Sequence, residues 1–303
     1  MYDVVIVGGG PAGLNAALVL GRCRRSVLLC DTGHPRNAAS LAMHGFLSRD
    51  GIEPLELLRL GREELGPYRV ELRTAEVVDI TPRSGAFDVT LATGSRVESR
   101  AVLIATGVRD HVPDIPGVRE CYGVTVHHCP YCDGWEVRDR RLVVLGAGRA
   151  AAGLALSLKT WSDRVTICSN GRARIGRSQR DQLARERIEI SERPVVRLEH
   201  ADGHARRLVF AGEQVHECDA LFFTAGQTLQ CELPLKLGCE ITSKGVVRTD
   251  HLGQTCVPGV YVVGDASRDV QFAIVAAAEG AKAAVSINRT LQAQAGLSVT
   301  SAA

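Results

Sequence analysis

Apolar residues come in short unbroken runs along this chain, and the runs end in glycine or in an acid. The first run, residues 2–7, leads into a glycine-rich turn over residues 8–13. Helical spacing follows over 12–21, and a second apolar run over 26–30 ends at Asp31. Strands that are buried on both faces show such runs instead of alternation. The pattern predicts a strand–helix–strand unit with a dinucleotide-binding turn.

Each glycine of this turn has a physical role. Gly8 permits the tight bend, Gly10 lets a pyrophosphate approach the backbone, and Gly13 allows the helix to pack close to the strand. The phosphate then lies at the helix N-terminus, against unpaired amides and the positive end of the helix dipole. Asp31 is placed to bond a ribose hydroxyl. A turn flanked by a strand, a helix and a distal acid predicts dinucleotide binding more strongly than the glycines alone.

The same arrangement returns in the second half of the chain. An apolar run over 141–145 leads into Gly146-x-Gly148-x-x-Ala151. The other predicted elements are a helix to about residue 158, a strand over 164–168, short antiparallel strands over 69–104, a strand over 259–263 and an alanine-rich helix over 271–288. The repeat predicts a second dinucleotide-type unit in the same chain.

We therefore predict an α/β fold of two Rossmann-like three-layer domains, with the second inserted in the first. The first domain is expected over residues 1–112 and 246–303, and the inserted domain over 113–245. Two nucleotide-sized clefts in one chain suit electron transfer between two bound redox groups.

Composition and charge exclude several classes of function. The 303 residues carry a formal net charge of +2 at pH 7, which argues against nucleic acid or an anionic membrane as partner. No apolar run is long enough to span a membrane, and the first residues lack the pattern of a signal peptide. The expected location is the cytoplasm, where the ten cysteines are mostly reduced. Eight of them stand singly, and we expect these to be small buried apolar residues.

The remaining two cysteines form the motif Cys129-Pro-Tyr-Cys132, followed by Asp133. Such a pair can close a disulfide within one turn, and a helix beginning there would favour the thiolate. Asp133 is placed to act as general acid or base for the thiol proton. The alternative is a zinc site that also uses His127 and His128. Structural zinc usually takes a second, distant ligand pair, and none is spaced for it, so no metal site is predicted.

Five motifs together resemble the low-molecular-weight thioredoxin reductase family. They are GGGPAG (8–13), ATG (105–107), CPYCDG (129–134), GAGRAA (146–151) and GVYVVGDA (259–266), in the family's order and across nearly the whole chain. The resemblance implies FAD in the outer domain, a redox-active Cys129–Cys132 pair in the inserted domain, and a homodimer. It also implies that Cys132 is the cysteine nearer the flavin and that Cys129 faces the substrate.

The resemblance also assigns a flavin site. Gly8, Gly10, Gly13 and Asp31 would hold the ADP part, Thr106 and Gly107 would line its path, and Asp265 after Gly264 would bond the ribityl chain. Two segments at this site depart from the family pattern. One contains Asn37, and the other is Gln271-Phe272-Ala273, where Phe272 lies against the flavin or is an ordinary core aromatic. All of these positions are predicted to contact the cofactor.

The second dinucleotide unit departs further from the family. NADPH-using members carry an acidic residue in the second turn and a His-Arg-Arg-type cluster after the next strand, whereas this chain has Arg149 and then Cys168-Ser-Asn-Gly. Arg172 and Arg174 follow, either as a rebuilt phosphate clamp or as solvated loop residues. These changes resemble branches that have lost pyridine-nucleotide binding. NADPH is therefore not the expected electron donor, and a second FAD, ferredoxin or oxygen is considered in its place.

The leading prediction is a flavin-dependent disulfide oxidoreductase that exchanges electrons between FAD, Cys129–Cys132 and a substrate. The substrate is a thioredoxin-like protein or a small-molecule dithiol or disulfide. The alternatives are an NADPH-dependent thioredoxin reductase, an oxygen-using dithiol oxidase and, outside catalysis, a flavin-binding redox sensor. Related dithiol oxidases usually carry His after the second cysteine, whereas Asp133 stands here, which favours a reductase-like site.

Overall fold

The computed structural model describes residues 1–267 and 270–297. The chain forms two compact units. The first comprises residues 1–38, 45–109 and 228 onward, and the second comprises 39–44 and 110–227. The second unit is thus inserted in the first, as the sequence predicts.

The elements in chain order begin with β1 (Tyr2–Val7), α1 (Pro11–Arg22), β2 (Val27–Asp31), α2 (Pro54–Glu63), β3 (Val70–Thr74), β4 (Val77–Arg83), β5 (Ala86–Leu91) and β6 (Arg96–Ile104). They continue with β7 (Val108–Asp110), β8 (Val126–His127), α3 (Pro130–Asp133), β9 (Leu142–Leu145), α4 (Gly148–Leu158), β10 (Val165–Cys168), α5 (Arg177–Arg185), β11 (Glu189–Ser191), β12 (Val195–Ala201), β13 (His204–Phe210), β14 (Val215–Glu217) and β15 (Ala220–Phe223). The last elements are β16 (Gln227–Leu229), α6 (Leu233–Lys236), β17 (Val260–Val262) and α7 (Ala273–Gln294), and β7 pairs with β16.

The first unit is built on a seven-stranded sheet. Its strand order is β3-β2-β1-β6-β5-β4, with β17 also paired to β6. Strands β3, β2, β1, β6 and β17 run parallel, whereas β4, β5 and β6 form an antiparallel meander. The mixed sheet arises because β6 is long. Its first half pairs with β5 and its second half with β17.

The apolar run of β1 is buried on both faces. Val4 and Ile6 belong to one core cluster, whereas Val5 and Val7 belong to the cluster on the opposite face. The first cluster lies beneath α1 and α7, which pack closely because a Cβ at Gly280 would lie 2.0 Å from the carbonyl oxygen of Ala12. Covering both faces of parallel strands explains why this strand reads as a continuous apolar run.

The second unit contains a five-stranded parallel sheet with the order β11-β10-β9-β15-β8. Its central strand β9 repeats the pattern of β1, because Leu142 and Val144 face one cluster and Val143 and Leu145 the other. A three-stranded antiparallel sheet, β12-β13-β14, completes the unit. The predicted α/β fold with two Rossmann-like domains is confirmed.

The units differ from the predicted domain limits in three places, one of which is residues 110–112, predicted for the first domain and found in the second unit. Residues 228–245, predicted for the inserted domain, lie in the first unit because Leu233, Leu237 and Cys239 are buried in its core. Residues 39–44, predicted for the first domain, lie in the second. The glycines of residues 238–245 also suggest a linker between the domains. This segment lies within the first unit instead, and the amide of Gly245 donates to the carbonyl of Thr242 in a turn there.

Several predicted elements appear with nearly the expected limits, and others were missed. Helix α1 extends the predicted 12–21 by one residue at each end, while α7 starts later than predicted and runs further. The polar helix α5 and the strands β12 to β14 were not predicted. Throughout residues 1–267 and 270–297, no helix combines the length and apolar character needed to cross a bilayer. The sequence also suggests a frayed tail over residues 292–303, but α7 continues to Gln294. Residues 298–303 lie outside the described residues.

Candidate active site

The first glycine-rich turn follows the carboxyl end of β1. Gly8 has a φ of +107°, and a Cβ there would lie 2.5 Å from the carbonyl oxygen of Ala105. A Cβ at Gly13 would lie 1.9 Å from the carbonyl oxygen of Gly8. A Cβ at Gly10, by contrast, would meet nothing within 4 Å, and no described residue accepts a hydrogen bond from the Gly10 amide. The turn therefore presents an open donor and free space in front of α1, as a phosphate requires.

Asp31 ends β2 beside this turn. Its carboxyl group would lie 2.7 Å from a Cβ at Gly9. Its Oδ2 accepts a hydrogen bond from Nη2 of Arg62 at 2.8 Å, an ion pair that the sequence did not predict. Arg62 lies on α2, and the pair holds the carboxylate next to the turn. The Asp31 carboxylate thus lies where a bound dinucleotide needs an acceptor for its ribose hydroxyl.

The ends of β6 and β17 bring further predicted residues to the same edge. Thr106 lies with its Oγ1 3.4 Å from Sγ of Cys231. A Cβ at Gly107 would lie 4.0 Å from Cβ of Asp265, and one at Gly264 would lie 3.2 Å from Cβ of Ala12. Since ligands bind outside the carboxyl ends of parallel strands, these residues lie where a ligand of this sheet is expected.

Arg36 joins two of the predicted residues. Its Nη1 donates to Oδ2 of Asp265 at 2.8 Å and to Oε1 of Gln271 at 2.7 Å. The Nε2 of Gln271 is buried and has no partner among the described residues. The residue predicted from the sequence is the neighbouring Asn37, which lies half-buried in the same turn. Arg36 was missed, although a cation beside Asn37 in a segment that departs from the family was a usable signal.

Phe272 and Ala273 mark the start of α7. Phe272 is the N-cap residue of this helix, and Ala273 is its first residue. The ring of Phe272 is half-buried and lies 3.6 Å from where a Cβ of Gly45 would stand. Neither core cluster of the first unit includes Phe272. The interpretation as an ordinary core aromatic is therefore not supported.

The first unit has the donor set that FAD needs. The open amide at Gly10 suits the pyrophosphate, the carboxylate of Asp31 suits a ribose, and Asp265 suits a ribityl hydroxyl. The orphaned amide nitrogen of Gln271 is a buried donor that still needs an acceptor. A dinucleotide with polar groups along its length would satisfy these atoms, so the residues fit the cofactor.

The second glycine-rich turn uses its amides differently. Its first glycine matches the first unit, because the Gly146 amide donates to the Cys168 carbonyl just as Gly8 donates to Cys30. The next glycine does not match. Gly148, with a φ of +70°, donates its amide to the carbonyl of Ala173 at 2.7 Å. The amide that corresponds to Gly10 is therefore already satisfied by the protein.

The segment that supplies this carbonyl is fixed in place. Ala173 is fully buried in the core of the second unit, and its own amide donates to Oε1 of Glu192 at 3.1 Å. Arg180 holds the same carboxyl oxygen at 2.9 Å. The pKa of Glu192 is lowered, first by the Ala173 amide and then by Arg180. The Ala173 carbonyl that accepts from the Gly148 amide therefore belongs to a segment held by burial and by a hydrogen bond to Glu192.

The three arginines considered as a phosphate clamp are Arg149, Arg172 and Arg174, and all three are exposed. Arg172 lies close enough to Glu192 to contribute to lowering the pKa of that carboxyl group. Arg174 has a φ of +51°, and its carbonyl oxygen would lie 3.9 Å from a Cβ at Gly148. The three arginines thus lie near a turn in which the amide of Gly148 is already hydrogen-bonded to the Ala173 carbonyl.

Cys129 and Cys132 form a disulfide with Cα atoms 5.3 Å apart. Cys129 is the N-cap residue of α3, and the amides of Cys132 and Asp133 both approach its carbonyl oxygen at 3.3 Å. Pro130 suits the first helical position because it has no amide to satisfy. The helix has only four residues, so it aligns too few peptide dipoles to favour a thiolate as the sequence analysis expected.

Asp133 lies beside His127, which the sequence suggests only as a possible zinc ligand. Its Oδ1 is 3.3 Å from Nδ1 of His127, which ends β8. His127 is 5% exposed, whereas the Asp133 side chain is 21% exposed. Within the described part of the chain, no group of three or more His, Cys, Asp or Glu side chains is placed to hold a metal ion. The zinc alternative therefore has no support.

Aromatic side chains surround the disulfide turn. Tyr131 is exposed and meets Trp161 edge-on, with ring centroids 5.4 Å apart. Trp135 is also exposed, and the guanidinium of Arg138 lies 4.1 Å from the centroid of its ring. A Cβ at Gly134 would lie 2.7 Å from the Trp161 ring. The only two tryptophans of the chain thus lie close in the fold to the disulfide turn.

The remaining cysteines follow the expectation in part. Burial raises the pKa of Cys168 and Cys218 to about 12 and that of Cys30 to about 11, so these thiols stay protonated and unreactive. Cys121 and Cys239 are buried as well. Cys23 and Cys256 are exposed, which the sequence analysis did not expect. Cys23 directly follows α1, and Cys256 lies in the loop before β17.

Comparisons with known proteins agree with this architecture. The pyridine nucleotide-disulphide oxidoreductase family matches residues 2–280. A protein of Arthroderma benhamiae named "Probable thioredoxin reductase" is 31% identical, with 88% of this chain and 74% of that protein covered. The crystal structure of HlmI has a TM-score of 0.94 at 39% identity over 97% of this chain and 94% of that one. Thioredoxin reductase from Streptococcus pyogenes has a TM-score of 0.90 at 26% identity over 97% and 99%.

The match spans both units and includes the glycine-rich turns and the disulfide. Such relatives imply FAD as cofactor, and the residues at the carboxyl edge of the first sheet fit it. The chain is therefore a member of the pyridine nucleotide-disulphide oxidoreductase family, an FAD-dependent disulfide oxidoreductase of the low-molecular-weight thioredoxin reductase type.

Proposed function

We propose that this enzyme exchanges two electrons between FAD and the Cys129–Cys132 pair and then with a thiol or disulfide substrate, and that NADPH does not supply them. FAD, when bound, provides the two-electron couple. The first unit would hold it through Gly8, Gly10, Gly13 and Asp31 at one end. At the other end, eight residues would surround the ribityl chain and the ring. They are Asn37, Thr106, Gly107, Gly264, Asp265, Gln271, Phe272 and Ala273.

One observation carries the NADPH-independent part of the proposal. A pyrophosphate on the second unit would need the amide of Gly148, and that amide already donates to Ala173 at 2.7 Å. Ala173 is itself anchored through Glu192 and by burial. Freeing the amide would cost this hydrogen bond and the packing of the segment. The same face could accept a second flavin only after the same change. A ferredoxin-like protein is therefore the preferred electron donor where a substrate disulfide is reduced, and oxygen is the preferred acceptor where the same steps run in reverse and a dithiol is oxidised.

The chain's own residues supply the thiol chemistry. Two electrons and two protons convert the Cys129–Cys132 disulfide into two thiols. Cys129, as thiolate, would attack the substrate disulfide, breaking its S–S bond and releasing one substrate thiol. Cys132 would then attack Cys129, which releases the second thiol and restores the protein disulfide. Asp133 would take the proton from Cys132 and return it when the pair is reduced.

The substrate is proposed from the relatives and from the surface of the turn. Relatives named thioredoxin reductases support a thioredoxin-like protein. The exposed rings of Tyr131 and Trp135 support any partner that brings an apolar or planar face to the disulfide, including a small dithiol. A homodimer is proposed from the resemblance alone, and the cytoplasmic location stays the prediction made from the sequence.

The test is an anaerobic titration of the purified flavoprotein with NADPH, followed by its absorption spectrum. We expect no bleaching by NADPH and full bleaching by dithionite or by a dithiol. The ratio of flavin to chain is measured in the same sample, and a ratio near one excludes a second flavin. The Cys132→Ser variant is the matched control, because it should keep the flavin and lose bleaching by dithiol.

The second candidate is an NADPH-dependent thioredoxin reductase, which the names of the relatives favour. Stoichiometric bleaching by NADPH would establish it and overturn our proposal. A flavoprotein that is reduced by dithionite but exchanges electrons with no dithiol or disulfide would instead be the redox sensor.

A further inference from the structure

His127 has a ring that is enclosed by the second unit. The residue ends β8, which pairs in parallel with β15 so that His127 lies opposite Phe222. The two rings are in contact, with centroids 5.3 Å apart. Only 5% of the His127 side chain is exposed. A histidine in this position has few rotamers and little access to water, so its two nitrogens meet fixed surroundings.

The two ring nitrogens have different surroundings. Nδ1 lies 3.3 Å from Oδ1 of Asp133. Nε2 is buried and has no hydrogen-bond partner among the described residues. A positively charged imidazole carries a proton on both nitrogens, and a buried N–H without an acceptor is costly. A neutral ring with its proton on Nδ1 leaves only a lone pair at Nε2 and presents its single donor to Asp133.

The other titratable groups around this turn have partners of their own. His128, the next residue, has its Nδ1 3.3 Å from the hydroxyl of Tyr122. Glu136, three residues beyond Asp133, lies 3.4 Å from Nε2 of His44. On β15, the residue facing His127 is the apolar Phe222. Among the contacts described, the Asp133 carboxylate therefore has one titratable neighbour outside its own helix, and this neighbour is His127.

We propose that neutral His127 is a positioning residue for Asp133: its Nδ1–H holds Oδ1 of the carboxylate and so leaves Oδ2 to exchange the proton of Cys132. This inference rests on the proposed role of Asp133. The 3.3 Å separation is long for a hydrogen bond, and such contacts are commonly loose in a free enzyme and tighten in the reacting complex.

The test compares two substitutions at position 127 by anaerobic stopped-flow reduction of the flavin with dithiothreitol across pH. His127→Phe keeps a ring against Phe222 and removes the donor, whereas His127→Asn keeps a donor. We expect His127→Phe to be about tenfold slower at neutral pH, because the carboxylate is less well placed. His127→Asn should restore most of the wild-type rate.

A second background separates this inference from the function on which it rests. In Asp133→Asn, which alone should slow the reaction by about 10²–10⁴-fold, His127→Phe should have no further effect. If Asp133→Asn reacts like the wild type, the proposed role of Asp133 fails. If Asp133→Asn is slow but His127→Phe matches the wild type, or slows both backgrounds equally, only the positioning role is overturned.

A spectroscopic measurement tests the tautomer without any turnover. Protein labelled with ¹⁵N-histidine should show His127, assigned by loss of its signal in His127→Asn, as a neutral ring protonated at Nδ1 at pH 7. In Asp133→Asn this preference should weaken. A ring protonated at Nε2, or on both nitrogens, at pH 7 in the wild type would overturn the proposal.

Discussion

The two glycine-rich turns of this enzyme share a sequence pattern and a place after a strand with parallel neighbours on both sides, yet their backbone amides differ. Gly8 and Gly146 make the same bond to the next strand. Gly10 has an open amide, and the amide of Gly148 donates to Ala173. The difference shows that a matching motif does not establish an open phosphate site. In the second unit, the segment after the next strand supplies the Ala173 carbonyl, and this one group determines that the amide is not open to a phosphate.

The largest expected effect comes from removing the disulfide chemistry of the second unit while leaving the first turn intact. Cys132→Ser should abolish electron exchange between flavin and dithiol, because the disulfide cannot form. Flavin content should be unchanged, since the residues that fit FAD lie in the first unit. Absorption spectra before and after dithiothreitol measure both. Retained turnover in this variant would contradict the role assigned to Cys132, and Cys256→Ser, a change at an exposed cysteine, is the matched control.

Two matched substitutions in the turns test their difference directly. Gly10→Val should leave folding intact, because its backbone is extended and its Cβ enters free space, but should weaken FAD binding by about ten- to a hundredfold. Gly148→Val should leave FAD binding unchanged and lower the free energy of unfolding by about 1–3 kcal/mol, because its φ is +70°. The measurements are titration of the apoprotein with FAD and thermal unfolding. Equal loss of FAD in both variants would mean that the two turns are not used differently.

The smallest expected effect concerns how the central strand of the second unit, β9, is fixed. Arg141, just before β9, bonds both carboxyl oxygens of Asp219 through Nε at 3.0 Å and Nη2 at 2.7 Å. This guanidinium lowers the pKa of Asp219 to about 2. Because the folded pKa is depressed, the stabilisation is complete above the unfolded value of about 4 and is lost as pH falls toward 2.

Asp219→Asn should therefore lower the stability at pH 7 by about 1 kcal/mol or less, since both partners are partly solvated. The difference from the wild type should shrink between pH 4 and pH 2, as measured by thermal unfolding. Glu217→Gln, at a more exposed partner of the same arginine, should change stability less. A difference that persists undiminished at pH 2 would show that the carboxylate charge is not the cause.

The sequence predicted the features that depend on local pattern. Buried parallel strands such as β1 and β9 are recognisable because both faces need apolar residues, and the glycines after them because the turns tolerate no side chain. The motif around Cys129 and Cys132 was likewise readable as a redox pair. These features need no knowledge of distant contacts.

Features that depend on distant contacts were not predictable. Nothing near Gly148 signals that its amide bonds to Ala173, and the bond exists because the intervening segment is anchored by Glu192. Arg36 was missed because its partners, Asp265 and Gln271, are far away in sequence. The boundary at residue 228 was missed because glycines suggested a linker, whereas burial of leucines in the first core decided the division.

The tryptophans beside the disulfide turn give the enzyme an internal optical probe. A disulfide quenches the fluorescence of a nearby indole more strongly than two thiols do. Trp161 meets Tyr131 of the motif, and Trp135 follows Asp133 by two residues, so both emitters should brighten when the pair is reduced. Intrinsic emission would thus report the redox state of Cys129–Cys132 in real time, without attaching any label.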